Sequence, residues 1–168
     1  MRIDTLEECY VQSLKDLYHA GHQILRALPK MAGAAASPGL RGLIQKYVVE
    51  TRAQLERLDI IFDGVKTDPM GKQCKPMADL LAGCDEIVHC GISGAVRDAS
   101  LISAAQRIEH YVLSVCETLL NHARTLEEWE AVGLLEVSLR ELGDSDDALT
   151  TLAGASSPGN PNLDAAMN

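Results

Sequence analysis

Apolar residues recur at three- and four-residue spacing along four long stretches of the chain, the period of an amphipathic helix. In the first, Val11, Leu14, Leu17, Tyr18, Ile24, Leu25 and Leu28 form one stripe, and Thr5 and Glu8 stand in capping-box spacing at its start. Pro29 is expected to bend the end of this helix. The second stripe is Ile44, Tyr47, Val48, Thr51, Leu55, Leu58 and Phe62. It opens at Ser37-Pro38, a capping serine with a proline in the first turn, and Gly64 stops it. A third helix is predicted from Ala95 to Arg124. A fourth is predicted from Thr125, where Thr125 and Glu128 again suggest a capping box, to Ala153, with Gly143 bending or loosening it.

No segment alternates with a two-residue period, so strands are not expected. Four helices of about 25 to 30 residues would each be about 40 Å long. Short links join the first to the second and the third to the fourth, which dictates two antiparallel hairpins. The middle link is long: Pro69 and Gly71 break it, and a short helix follows from Pro76 to His89 before Gly91 and Gly94 mark another turn. The expected fold is all-α, a ferritin-like four-helix bundle whose crossover carries a short fifth helix. Residues 1–153 form the bundle domain, and 154–168, rich in Gly, Ser, Pro and Asn, are expected to be a flexible tail.

Composition narrows the function classes. Phe and Trp occur once each in 168 residues, so aliphatic side chains must fill the core. A formal charge of -9 argues against nucleic acid and against an anionic membrane surface. No run is long and apolar enough for a spanning helix, and MRIDTLEECY carries acids where a signal peptide needs apolar residues, so a cytoplasmic protein is expected. Five cysteines without a CxxC fit free thiols better than a disulfide framework. No GxSxG or Gly-rich phosphate loop points to hydrolase or nucleotide chemistry, and no motif names a small-molecule substrate.

LYHAGHQILRALPKMA, VVETRAQLERLDIIF, KQCKPMADLL and VRDASLISAAQRIEHY, in that order, resemble the YciE/YciF family of bacterial ferritin-like proteins. The resemblance covers roughly residues 5–153. It implies an association with stress responses and a homodimer. It also directs attention to the bundle interior, where ferritin-like proteins can hold two metals between carboxylates and Glu-x-x-His pairs. Iron or manganese would be the fitting ions for such hard oxygen donors.

Against the family pattern, Glu50, Glu109, His110 and Glu141 remain as candidate ligands. Gly21, Tyr47, Val49, Val112, Val137 and Arg140 stand where an acid or histidine is usual. Valines in place of carboxylates imply a metal site given over to ordinary packing, because an apolar side chain avoids the desolvation cost of an unpaired charge. Adjacent residues on a helix diverge by about 100°, so Glu109 and His110 cannot both point at the bundle axis. The plainer reading of these residues is a buried polar cluster satisfied by Arg52, Gln54, Gln106, Arg107 or Tyr111.

His19 and His22 form an HxxH pair that could bind zinc, nickel or copper, but no Glu or Cys completes it. A solvated or dimer-facing pair is the simpler account. Cys116 lies on an apolar face with no activating base nearby, the setting of an inert thiol.

Two functions follow. The first is a non-catalytic stress-related or structural homodimer with a degenerate di-metal site and no cofactor. The second is a metalloprotein (oxidase, peroxidase or metal store) that uses iron or manganese with a reduced ligand set.

Overall fold

A computed structural model describes residues 3–156. Five helices follow in order: α1 (Leu6–Ala34), α2 (Pro38–Gly64), α3 (Lys75–His89), α4 (Gly94–Thr125) and α5 (Trp129–Ser156). No strand occurs among the described residues. The ferritin-like bundle expected from the periodicity is the fold found. α1 packs beside α2 and α4, and α5 packs beside α2 and α4, so every neighbouring pair of long helices is antiparallel. α3, carried by the crossover, lies in the groove between α1 and α4.

The stripes become the core. Leu14, Leu17, Ile24, Leu28, Ile44, Leu58, Leu101, Ile108, Val112 and Leu119 are all 2% exposed or less. Thr5 caps α1 by accepting the Glu8 N–H at 3.2 Å, while the Glu8 carboxylate accepts the Asp4 N–H at 2.8 Å. Ser37 caps α2 by accepting from the Leu40 N–H, with Pro38 opening the helix as expected. Pro29 sits inside α1, on its exposed side, and the helix continues to Ala34.

Three sequence expectations change. Thr125 does not cap α5; its hydroxyl donates to the Asn121 carbonyl at 3.0 Å and it ends α4. The chain turns at 126–128, where Glu127 adopts φ 59°, and α5 starts at Trp129. Gly143 does not interrupt α5, which runs through it from Trp129 to Ser156. The tail expected from 154 is helical as far as Ser156, and the rest of it lies outside the described residues.

The crossover is held to α1 along its first part. Lys15 Nζ donates to the Met70 carbonyl at 3.1 Å, and Gly71 passes over the His19 ring so closely that a Cβ there would stand 3.0 Å from Nε2. None of the described helices is long and apolar enough to cross a membrane.

Candidate functional site

Of the candidate ligands singled out by the sequence, Glu109 alone is fully buried in the interior between α2, α4 and α5. Glu109 is the centre of the cluster. It projects from α4 into the core, is 1% exposed, and neither carboxylate oxygen has a hydrogen-bond partner. Burial pushes its carboxyl up to about 8, opposed by the Ser145 side chain and by Lys46, and reinforced by Asp146 and Glu50. Ser145, on α5, is buried beside the carboxylate and its hydroxyl favours the charged form, though it is not aligned closely enough to make a hydrogen bond in this conformation. Near neutral pH Glu109 is therefore largely a neutral acid, the form that costs least in such a site.

Tyr47 lies against it from α2, buried, with its hydroxyl unpartnered. Burial first, then the charges of Glu109, Cys116 and Glu50, hold the phenol well above its ordinary value. Across the axis, Gln54 Nε2 donates to Cys116 Sγ at 3.4 Å, and burial pushes that thiol up to about 12. Cys116 is thus an inert core thiol, and all five cysteines are free.

The other three candidates turn elsewhere. Glu50 is partly buried and pairs with Lys46, one turn earlier on α2, at 2.9 Å. Glu141 on α5 is gripped by both terminal nitrogens of Arg57 on α2, whose Nε donates to Ser138 at 3.0 Å. His110, next to the buried Glu109, lies on the outside of α4 with its ring 60% exposed and its Nε2 3.0 Å from Asp146. That contact is one of distance only, since Asp146 Oδ1 has no aligned hydrogen-bond donor. The divergence of adjacent helical residues thus separates Glu109 from His110.

Glu50 and Glu141 line one cleft with Tyr47, Gln54 and Arg57, but its volume is about 10 Å³, room for about one water molecule. Among the described residues no three Asp, Glu, His or Cys side chains gather as a metal site would require. One neutral buried acid, two carboxylates neutralised by Lys46 and Arg57, and an outward histidine do not fit a two-metal centre.

Some substitutions read as site filling have a different role. Val112 is buried and fills the core as expected, and Gly21 is buried against Leu55, where a Cβ would approach Leu55 Cδ2 to 2.9 Å. Val49, however, is 66% exposed and occupies no interior space. Val137 is only half-buried.

The partners expected for the cluster also differ. Gln106 donates to Thr150, Arg107 to Ser103, and Tyr111 meets Cys74 at 3.2 Å, so none of them serves Glu109. The residues that neutralise the cluster, Lys46 and Arg57, were not singled out by sequence. Lys46–Glu50 was legible as an i,i+4 pair, whereas Arg57–Glu141 joins two helices and leaves no local signal.

The HxxH pair is not an open site. His22 packs edge-on against Tyr18 at 4.6 Å between ring centroids, and His19 lies under the crossover with a buried, unpartnered Nε2.

Comparison with known proteins agrees with the resemblance carried by the sequence blocks. The sequence model of a family described as a domain of unknown function, DUF892, matches residues 5–159. Protein YciF of Escherichia coli K12 is 33% identical over 154 residues, covering 91% of this chain and 93% of that protein. The crystal structure of the E. coli stress protein YciF superposes with a TM-score of 0.89 at 32% identity, covering 92% of this chain and 98% of that one. YcfI of Rhodopseudomonas palustris, proposed there to be a structural protein, gives 0.84 at 32% identity, over 89% and 95% of the two chains. A DUF305 fragment from Deinococcus radiodurans gives 0.68 at 11% identity, over 87% of this chain and 95% of the fragment, a likeness of fold alone.

Proposed function

The chain belongs to the DUF892 family, and on that premise we propose that it is a non-catalytic bundle protein acting through its surface in a stress-related or structural role, as a cytoplasmic homodimer with a degenerate di-metal site. The observation that carries this reading is Glu109: a carboxyl buried at the bundle centre, without partner, whose would-be companions are diverted to Lys46, Arg57 and the outside of α4. A proton in place of a metal relieves that buried charge without any ion. The relatives described as a stress protein and as a structural protein support the physiological half of the reading.

Elemental analysis of untagged protein, with peroxide turnover measured after iron or manganese loading, tests it. Substoichiometric metal and turnover at the level of the free ions are expected. Near-stoichiometric iron or manganese that disappears in Glu109→Ala would overturn the reading and establish a metalloprotein with a reduced ligand set. Sedimentation analysis tests the homodimer separately: a monodisperse monomer would remove that part and leave the metal question standing.

A further inference from the structure

The outer side of α4 carries an apolar strip that none of the described helices covers. Val96, Ala99, Ser100, Ser103 and Arg107 on α4, with Ile87 near the end of α3, line an open groove of about 440 Å³. Val96 is 57% exposed. The hydroxyls are already engaged: Ser100 donates to the Val96 carbonyl at 3.0 Å, and Ser103 accepts from Arg107 at 3.3 Å. Arg107 forms no ion pair among the described residues, so an unpaired positive charge stands at one end of the strip.

The chain itself leaves α5 beside this groove. Gln106 on α4 donates to Thr150 on α5 at 3.0 Å, which sets the register of the antiparallel pair. Ser156, at the end of α5, lies as far beyond Thr150 as Ser100, in the groove wall, lies before Gln106. The end of α5 therefore stands level with the groove, one helix away, and packed helix axes are about 8–10 Å apart. The next residues, SPGNPN at 157–162, could span about 20 Å when extended. That length is enough to cross α4 and reach Val96. The segment LDAAM that follows matches the groove in character. Leu163 and Met167 are the only large apolar residues after Leu152, and Asp164 is the only charged one after Asp147.

We propose that residues 157–168 fold back across α4, with Leu163 in the groove between Val96 and Ile87 and Asp164 on Arg107. The occupant is a segment of the same chain. A linker this short holds it near the groove at about millimolar effective concentration, so a weak contact is sufficient. The family match ends at residue 159, so most of this cover is added to the shared domain. It is independent of the metal question, since its contacts lie outside the Glu109 cluster. Any partner that uses this side of α4 must first displace it.

NMR of the full chain tests the proposal. Methyl contacts between Leu163 and Val96 or Ile87 are expected, with backbone order parameters above about 0.6 for residues 163–167. Val96→Asp, at an exposed position where an acid suits the first turn of α4, should remove those contacts and lower the order parameters. Arg107→Glu should move the tail resonances towards their positions in Val96→Asp, and Asp164→Arg added to it should move them back. A sample mixing labelled and unlabelled chains separates the tail's own molecule from a second copy. Order parameters below about 0.6 throughout 160–168, tail shifts unchanged in Val96→Asp, or Leu163 contacts found only between molecules would overturn the proposal.

Discussion

The Asp98 carboxylate, near the start of α4, accepts the backbone N–H of Ser37 at 2.8 Å. Its other oxygen accepts the Ala36 N–H at 2.7 Å. The turn between α1 and α2 is thereby fastened to the beginning of the opposite hairpin, and the acid that does this is only 4% exposed. A charged acceptor serving two backbone donors satisfies groups that the end of α1 and the start of α2 leave open.

Asp98→Ala should therefore lower stability by about 3 kcal/mol, read as a shift in the urea midpoint at unchanged slope. Asp98→Asn keeps one acceptor and should lose roughly half as much. A loss within experimental error in the alanine variant would show that the turn is set by the two hairpins without this clamp.

Glu109 should make stability depend on pH in the sense opposite to an ion-paired acid. Its ordinary value is 4.5 and its folded value about 8, so the folded state holds a proton that the unfolded chain releases in between. The contribution is complete below pH 4.5, declines as pH rises through the window, and is gone above about 8. Within the window each pH unit is worth about 1.4 kcal/mol at most. Glu109→Gln removes the decline, so the variant should overtake the parent at alkaline pH. Parallel denaturation curves for the two proteins from pH 5 to pH 9, run as equilibrium titrations, check this; identical pH profiles would contradict the buried neutral acid.

Arg57 and Glu141 should show measurable coupling. Arg57 is 15% exposed and bridges α2 to α5 through Glu141 and Ser138. A double-mutant cycle with Arg57→Ala and Glu141→Ala should give a coupling of about 1 kcal/mol, reduced at high salt. Arg57→Ala alone should cost more than Glu141→Ala, because it also leaves Ser138 without its guanidinium partner. Additive single effects would show that the pair contributes nothing.

Gly21 marks where the family resemblance places an acid, and Leu55 crowds the position. Leu55 occupies the space, with Cδ2 2.9 Å and Cγ 3.2 Å from a Cβ built there. Gly21→Asp should cost more than about 2 kcal/mol, from crowding and from burial of a carboxylate. Adding Leu55→Ala should recover part of that loss, read as thermal midpoint. A double variant no more stable than Gly21→Asp alone would remove Leu55 as the cause.

What the sequence revealed and what it hid follow from range. The stripes, the Ser37-Pro38 start and the Gly64 stop are local signals, and each appears where the spacing puts it. Thr125 misled because its capping box is also local, while the turn that displaced it depends on Glu127 at positive φ, a conformation for which no glycine announced itself. The interior needed single-residue accuracy. Val49 sits between buried Tyr47 and Thr51 on the same helix and still faces solvent, because a step of two residues is about 200° of rotation. Glu109 was legible as a carboxylate on a buried stripe. Its isolation was not, since Lys46 and Arg57 on α2 and Asp146 on α5 reach the neighbouring groups. Asp98 left no pattern at all: it bonds backbone 61 and 62 residues away.

The strap formed by Lys15 on the Met70 carbonyl, with Gly71 laid over His19, ties the link between the two hairpins to α1. The α1–α2 hairpin buries its apolar side on the α4–α5 hairpin, and nothing in that packing requires both to come from one molecule. Two copies could trade hairpins and keep every core contact. By holding the connecting segment down on α1, the strap shortens the free length of the link, which is the slack such an exchange would draw on.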